Sequence, residues 1–254
     1  MHDYLNNSER TIIITGSSAG IGNHMVKFFL EKNYKIVSCA RSEQPNDLKD
    51  ANHIYVQGDA TMYSLHDEMV KKCTNIFSAP SSYINNVGMS EWKPISEISE
   101  DFLNTMLDVN LKSSFWGCKA ALNSSNLKSI LNISSLAGKR GSANNSVYCA
   151  AKFGINGLTQ SLAKELGPNG IRVNALCPVL IETPGLLKAL KSPKSPAKDS
   201  GPDIFLENFE SSNVALSSLP TAEELCDVVQ YFISENSSAI TGQCVNVDCG
   251  VFPQ

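Results

Sequence analysis

Short apolar, β-branched runs alternate with longer amphipathic stretches along most of the chain. The runs predict strands at 11–15, 35–39, 53–57, 82–86, 129–134, 171–177 and 244–248. Helices are expected between them, at 20–32, 62–72, 97–125 (where a break is allowed), 147–166 and 221–235. Strands that alternate with helices in this way are joined by right-handed crossovers into a parallel sheet. The sequence therefore predicts a doubly wound α/β Rossmann fold, a seven-stranded parallel sheet with helices on both faces.

One stretch interrupts this pattern. Residues 184–220 are rich in Ser, Pro and Lys and show no clear periodicity. An irregular segment of this length inside a compact domain is unusual and is often a lid or a binding loop. Because the chain shows no linker and no internal repeat, we expect a single domain over residues 1–254 that carries this one segment.

Charge and cysteine content exclude several classes of protein. With 21 basic and 25 acidic side chains the net charge is −4, which argues against a nucleic-acid binder. No apolar run approaches the roughly 18 residues of a membrane span, and the first ten residues lack the apolar core of a signal peptide. The eight cysteines and four histidines do not stand at zinc-ligand spacing. We therefore expect a cytoplasmic protein with reduced cysteines and without a metal, a membrane partner or a nucleic-acid partner.

A glycine-rich turn, residues 15–22, follows the first predicted strand. Gly16 permits a tight bend, Gly20 lets the backbone approach a pyrophosphate, and Gly22 lets the next helix pack on the strand. The N-terminus of that helix would present free N–H groups to the phosphates. The spacing is not GxGxxG, and an ordinary glycine-rich turn is the alternative interpretation of this segment taken alone.

The turn is the first of several motifs that stand in the order typical of one family. It reads TGxxxGIG, residues 85–88 read NNVG where the family has NNAG, and Tyr148 and Lys152 form a YxxxK pair. Over about residues 10–250 the chain resembles the short-chain dehydrogenases/reductases. It resembles their 3-oxoacyl-carrier-protein reductases in particular, although these motifs are too widely shared to select that substrate. The resemblance implies a nicotinamide dinucleotide bound by Gly16, Ser17, Ser18, Gly20, Ile21, Gly22, Asp59, Ala60, Asn86, Gly88, Tyr148, Lys152, Pro178, Ile181 and Thr183.

Three positions depart from the family pattern. Val87 replaces an alanine, Val179 replaces a glycine after Pro178, and Cys249 stands in the C-terminal segment. Val179 restricts backbone freedom that the usual glycine permits, so the path after the sixth strand is expected to differ. None of the three removes a catalytic group.

The end of the second predicted strand bears on the choice between NAD and NADP. In this fold an acid about 20 residues beyond the glycine turn bonds the ribose 2′-hydroxyl and repels a 2′-phosphate. This chain has Arg41 and Ser42 there and no acid. An arginine can bind a phosphate through a forked, charge-assisted contact, although Arg41 could also be a solvated surface residue. Many NADP-using relatives have a second basic residue where this chain has Ala19. We predict NADP(H) as the preferred cofactor, with NAD(H) as the alternative.

The resemblance also implies a catalytic group, formed by Asn110, Ser135, Tyr148 and Lys152. Tyr148 and Lys152 are four residues apart and project from one helix face, and Ser135 follows a strand at the ligand-binding edge of the sheet. Tyr148 would exchange a proton with the substrate oxygen, which requires its pKa of about 10 to fall, and the Lys152 ammonium favours that fall. Ser135, rather than its neighbour Ser134, would donate a hydrogen bond to the substrate oxygen. Asn110 would hold a water, the alternative being a polar core or kink residue.

These residues predict an NADP(H)-dependent oxidoreductase that interconverts a secondary alcohol and a ketone in a small-molecule substrate. One alternative is an NAD-linked alcohol dehydrogenase of the same family. Another is a cofactor-binding regulator without turnover, which has no chemical need for the catalytic group. Relatives commonly form tetramers through the helices at 97–125 and 147–166 and the C-terminal strand, so we expect a homo-oligomer, either a dimer or a tetramer.

Residues 184–220 stand where the family has its substrate-binding lid. Four lysines at 188, 191, 194 and 198 are followed by four acids at 199, 203, 207 and 210. The lysines could attract an anionic substrate or be solvated charge on a mobile loop. The leucines and aromatic residues of the segment could cover an apolar pocket, with Met89 and Trp92 on its other side.

Overall fold

The chain folds around one seven-stranded parallel sheet. We describe it from a computed structural model that covers residues 10–253. The strand order is β3-β2-β1-β4-β5-β6-β7, and every neighbouring pair is parallel. The strands are β1 (Thr11–Thr15), β2 (Lys35–Ala40), β3 (His53–Gln57), β4 (Ser82–Asn85), β5 (Ser129–Ile133), β6 (Arg172–Pro178) and β7 (Cys244–Val247). The predicted doubly wound fold is confirmed, and the order reverses between β1 and β4, where such sheets bind ligands.

Helices cover both faces of the sheet. They are α1 (Gly20–Glu31), α2 (Tyr63–Ile76), α3 (Glu100–Leu107), α4 (Ser113–Ala121), α5 (Ser146–Leu166), α6 (Pro184–Leu190), α7 (Pro202–Asn213) and α8 (Ala222–Ile233). Ile12 and Ile14 of β1 belong to the apolar cluster under α1 and α8, whereas Ile13 belongs to the cluster under α2, α4 and α5. All three isoleucines are fully buried because successive strand side chains point to opposite faces. A strand covered on both faces explains the continuous apolar run that the sequence shows there.

The break that the sequence allowed at 97–125 is observed, whereas the expectation for 184–220 is not met. The predicted helix at 97–125 is divided by a π-helical turn, Asp108–Lys112, which separates α3 from α4. The expectation that 184–220 is irregular throughout is wrong, since it contains α6 and α7. Each of these helices starts with a proline at its first position, which suits a helix start but resembles a loop signal in the sequence.

The expectations about a signal peptide, a membrane span and a metal site can be compared with the structure only for residues 10–253. The expectation about a signal peptide concerns residues 1–9, which, like residue 254, lie outside the described residues. Within residues 10–253, no helix is both long and apolar enough to cross a membrane. The same residues contain no group of three His, Cys, Asp or Glu side chains that could hold a metal ion. All eight cysteines are free thiols, and six of them are buried.

Candidate active site

A cavity of about 1320 Å³ opens at the carboxyl ends of the central strands. Nearly all residues that the sequence singled out line this one cavity. They are Gly16, Ser18, Gly20, Ile21, Gly22, Arg41, Ser42, Asp59, Ala60, Asn86, Gly88, Ser135, Tyr148, Lys152, Pro178, Ile181 and Thr183. Ser17 and Asn110 are fully buried and are not among the lining residues. The sheet therefore gathers at one edge residues that lie far apart along the chain.

The glycine turn has the shape of a phosphate cradle. Gly16 and Gly20 adopt positive φ angles of 74° and 57°, which side chains disfavour. At Gly22 an added Cβ would lie 2.0 Å from the carbonyl oxygen of Gly16, so only glycine allows α1 to begin this close to the turn. The N-cap residue of α1 is Ala19, and no side chain caps the helix. Its first N–H groups are therefore available to an anion, which fits a dinucleotide pyrophosphate.

Ser17 has a different position from the one predicted. Its hydroxyl lies 2.7 Å from the Ser38 hydroxyl and 3.3 Å from the Cys39 carbonyl oxygen, on β2. The Ser38 hydroxyl in turn lies 2.7 Å from Nε2 of the buried His53. Ser17 therefore anchors the turn to β2 from below and presents no side chain to the cavity.

Asn86 and Thr15 fix the end of β4 against the glycine turn. The Asn86 side-chain amide donates to the carbonyl oxygens of Thr15 and Gly16, at 3.0 and 3.1 Å. The Thr15 hydroxyl accepts from the backbone N–H groups of Asn86 and Val87. This role of Thr15 was not predicted from the sequence, although a buried threonine at a strand end next to a functional turn is a usable signal for it.

Tyr148, Lys152 and Ser135 meet at the centre of the cavity. Lys152 is 3% exposed, its Nζ donates to the Ile133 carbonyl oxygen at 2.9 Å, and it lies 5.7 Å from the centre of the Tyr148 ring. Burial lowers the pKa of Lys152 to about 8. Burial raises the pKa of Tyr148 above its usual 10, and hydrogen bonding to Ser135 offsets part of that rise. The Ser135 hydroxyl also accepts from the Ala137 N–H at 3.1 Å, which orients it.

Asn110 stands behind these groups, in the π-helical turn. Its Oδ1 accepts from the Met89 N–H at 2.9 Å and its Nδ2 donates to the Met106 carbonyl oxygen at 2.9 Å. A Cβ added at Gly88 would lie 3.2 Å from Asn110 Oδ1 and 3.4 Å from Lys152 Nζ. The side chain thus joins the segment after β4 to the α3–α4 helix break, which matches the alternative of a kink residue. The predicted water-holding role stays a prediction.

Arg41 and Ser42 lie exposed at the end of β2. The Gln57 side chain donates to the Arg41 carbonyl oxygen and the Tyr55 hydroxyl donates to that of Ser42, both at 2.9 Å, so this backbone is well fixed. Within residues 10–253 the Arg41 guanidinium forms no ion pair. Asp59 lines the same end of the cavity, and its carboxylate accepts from the Thr61 N–H.

The opposite end of the site is formed after β6. The Val179 N–H donates to the Val247 carbonyl oxygen at 3.2 Å, so Val179 continues the pairing with β7 where a glycine was expected. Thr183 is the N-cap of α6 and its hydroxyl accepts from the Leu186 N–H at 3.1 Å. The Thr183 Cβ lies 3.5 Å from where a Cβ on Gly20 would be, so α6 begins directly above the glycine turn.

The segment from 184 to 220 contributes apolar residues to the cavity wall. Trp92, Leu190, Ala197 and Leu206 form a separate buried cluster, against which further residues of α6 and α7 pack. Trp92 therefore packs against apolar residues of this segment, and the role of the segment as a cover over a substrate pocket stays a prediction. Of the four lysines, those at 188, 194 and 198 line the cavity, and Lys191 is not among the lining residues. Arg140 and Asn145, on the loop between β5 and α5, also line it and were missed.

Comparisons with known proteins show which family the chain resembles over most of its length. The model of the family described as short chain dehydrogenase matches residues 10–193. A 3-oxoacyl-[acyl-carrier-protein] reductase of Chlamydia muridarum is 30% identical over 253 residues, which cover 95% of this chain and 97% of the relative.

Two solved structures extend the likeness to the whole fold. A 4-hydroxyisoleucine dehydrogenase complexed with NADH is 26% identical with a TM-score of 0.78, covering 95% of this chain and 98% of that one. An actinorhodin polyketide ketoreductase with NADPH has a TM-score of 0.89 at 23% identity, covering 98% and 99% of the two chains. At that identity, the second likeness concerns the fold alone.

Proposed function

The chain belongs to the short-chain dehydrogenase family, an enzyme family acting on CH–OH and keto groups, and from this premise we propose an NADP(H)-dependent reaction that interconverts a secondary alcohol and a ketone. The observation that carries the proposal is the convergence of Ser135, Tyr148 and Lys152 on the cavity that the glycine turn also lines. A regulator without turnover would have no use for a buried lysine beside a tyrosine in a ligand cavity.

The proposed chemistry divides between the cofactor and three side chains. When bound, a nicotinamide dinucleotide supplies the hydride in reduction and accepts it in oxidation. Ser135 donates a hydrogen bond to the substrate oxygen and places it beside the Tyr148 hydroxyl. Tyr148 gives its proton to that oxygen in reduction and takes it back in oxidation. Lys152 provides a positive charge near Tyr148, which favours the phenolate.

The pKa shifts of Tyr148 and Lys152 are consistent with both ketone reduction and alcohol oxidation. Because burial raises the pKa of Tyr148, the phenol is protonated at neutral pH and is ready to act as an acid. Because the pKa of Lys152 is lowered to about 8, much of this lysine is protonated at neutral pH, and its charge is lost on modest alkalinisation. Oxidation of an alcohol requires the phenolate, so its rate is expected to increase with pH more steeply than the rate of reduction.

The preference for NADP(H) rests on the end of β2. Arg41 and Ser42 occupy the position where an acid would bond the ribose 2′-hydroxyl. Within the described part of the chain the Arg41 guanidinium forms no ion pair. A 2′-phosphate would find a fork of donors there instead of a repelling carboxylate. An NAD-linked dehydrogenase is the second candidate, favoured by the 26% identity to a dehydrogenase complexed with NADH.

We also propose that the enzyme is a cytoplasmic homo-oligomer whose 184–220 segment is the substrate-binding lid. Eight free thiols suit a reducing compartment. The lid assignment is supported by the apolar cluster that α6 and α7 form with Trp92 at the cavity.

Substitution of Tyr148 by Phe tests the proposed reaction. A panel of ketones and secondary alcohols is followed by NADPH or NADP absorbance, with NADH and NAD in parallel. We expect the substitution to lower kcat about 10²- to 10⁴-fold, because a positioned acid and base is lost, while NADPH binding by fluorescence is retained. Tyr231→Phe, on the exposed face of α8, is the matched control and should keep full activity. Near-normal turnover by the Tyr148 variant would contradict the mechanism, and an inactive wild-type enzyme with every substrate would favour the regulator.

A further inference from the structure

We propose that the substrate carries an anionic group, a carboxylate or a phosphate, and that Arg140 binds it. This inference rests on the proposed function, because it concerns the substrate of the same site. It specifies a substrate class, an oxo acid or phosphorylated ketone with the corresponding hydroxy compound, which the catalytic residues do not determine.

Arg140 is built into the site without an acid to neutralise it. It is half-buried, lines the cavity, and stands five residues after Ser135 on the loop between β5 and α5. Its guanidinium carbon lies 5.7 Å from the centre of the Phe252 ring, which holds the side chain by a cation–π contact. Among the ion pairs of residues 10–253 none involves Arg140. A partly desolvated guanidinium without a carboxylate is suited to receive one from a ligand, in a bidentate contact.

A second polar group on the same loop is also unsatisfied. Asn145 is 5% exposed, lines the cavity, and its Oδ1 has no hydrogen-bond partner within the described residues. Buried side-chain amides are normally hydrogen-bonded, so an unpartnered one at a ligand cavity indicates a missing partner. An amide that rotates about its last bond can offer either its oxygen or its N–H groups to a bound molecule.

The charged residues that line the cavity favour an anion. Lys188 and Lys198 line it and form no ion pair within residues 10–253, whereas Lys194 is held by Glu97 at 2.6 Å. The acids among the lining residues are Asp59 and Glu91, and both are exposed. The chain as a whole has a net charge of −4, so this local excess of positive charge is not a general property of its surface. Such a rim increases the association rate of an anion, and salt weakens the effect.

Arg140→Gln tests the proposal with matched pairs of substrates. Each pair comprises a neutral ketone that the wild type reduces and the same ketone bearing a terminal carboxylate or a phosphate. We expect the wild type to prefer one anionic form in kcat/KM, and Arg140→Gln to lower kcat/KM for that form by about 10- to 100-fold. The neutral ketone should change by less than about 2-fold, and Arg140→Lys should restore part of the loss, since it keeps the charge without the fork. The carboxylate and phosphate arms distinguish the two anions.

The lysines provide a graded control. Lys188→Gln should lower kcat/KM for the anionic ketone several-fold, and the loss should depend on salt concentration. Lys191→Gln makes the same charge change outside the cavity and should leave this kcat/KM unchanged. Equal losses for the neutral and anionic ketones in Arg140→Gln would overturn the proposal, as would a wild type that prefers the neutral form. Both outcomes leave carbonyl reduction intact, so they are distinguishable from failure of the proposed function, in which no ketone is turned over.

Discussion

At the scale of single residues, burial of the Lys152 amine in the proposed site is expected to lower the stability of the folded protein. Its amine is buried, donates to one carbonyl oxygen and has no carboxylate partner within residues 10–253. Because burial lowers its pKa from 10.5 to about 8, protonating it costs more in the folded protein than in the unfolded chain. A shift of this size corresponds to about 3 kcal/mol below pH 8, and the hydrogen bond to Ile133 returns about 1 kcal/mol.

We therefore expect Lys152→Met to be inactive yet about 2 kcal/mol more stable than the wild type at pH 7. Between pH 8 and 10.5 the folded wild type binds fewer protons than the unfolded chain, so its stability increases with pH and the difference between the two proteins shrinks. Buried thiols such as Cys39 and Cys118, whose pKa values are raised to about 12, have the opposite effect above pH 9 but are common to both. Urea unfolding at pH 7 and pH 9 measures the difference. A constant gap, or a less stable variant at pH 7, would show that the lysine is not a charge held at a cost.

Arg41 is the residue on which the preference for NADP(H) depends. Arg41→Asp places a carboxylate where it can bond a 2′-hydroxyl and repel a 2′-phosphate. We expect the ratio of kcat/KM for NADPH over NADH to fall by at least about 100-fold, the effect of losing one forked charge contact and gaining a repulsion. Arg10→Asp, at a basic residue outside the cavity, controls for net charge. An unchanged ratio in Arg41→Asp would refute the role of Arg41.

At the scale of elements, the strands and helices that could be predicted are those with a clear apolar pattern in the sequence. β1 and β3 were predicted with their observed limits, because β-branched runs between turn signals are typical of buried strands. α6 and α7 were not predicted, since both start with a proline and lack a clear apolar period, and α6 is also short. Their stability comes from packing on Trp92, a contact between segments far apart in the chain. The π-helical turn at Asn110 depends equally on distant contacts, here with Met89.

The candidate site follows the same division. Residues such as Ser135 could be predicted because parallel strands bring their carboxyl ends to one edge of the sheet. The orientation of the Ser17 side chain could not be predicted, because a side chain in this turn can point either toward β2 or into the cavity. The position of Arg140 could not be predicted either, since it depends on a contact with Phe252, which lies more than a hundred residues further along the chain.

At the scale of the whole molecule, one helical face is left unusually apolar. Leu103 of α3, Phe115 of α4 and Phe153 of α5 are 39%, 48% and 49% exposed. α3 packs against α5, and α4 follows α3 through the π-helical turn, which also contacts α5. Large apolar residues clustered on one surface are typical of an interface with another protein. The same helices were expected from the family resemblance to join subunits, so a second copy of this chain is the partner that we propose.

Phe115→Glu tests that arrangement. A glutamate at the centre of an apolar interface would be buried without a partner, which costs at least about 2 kcal/mol per contact. We expect light scattering to give an integer multiple of the monomer mass for the wild type and a smaller mass for the variant at micromolar concentration. Ile76 is 60% exposed at the end of α2. Ile76→Glu also replaces an exposed apolar side chain by a carboxylate, but on another surface, and should leave the mass unchanged. A monomeric wild type would remove the oligomer from the proposal, and a mass insensitive to Phe115 would place the interface on a different face.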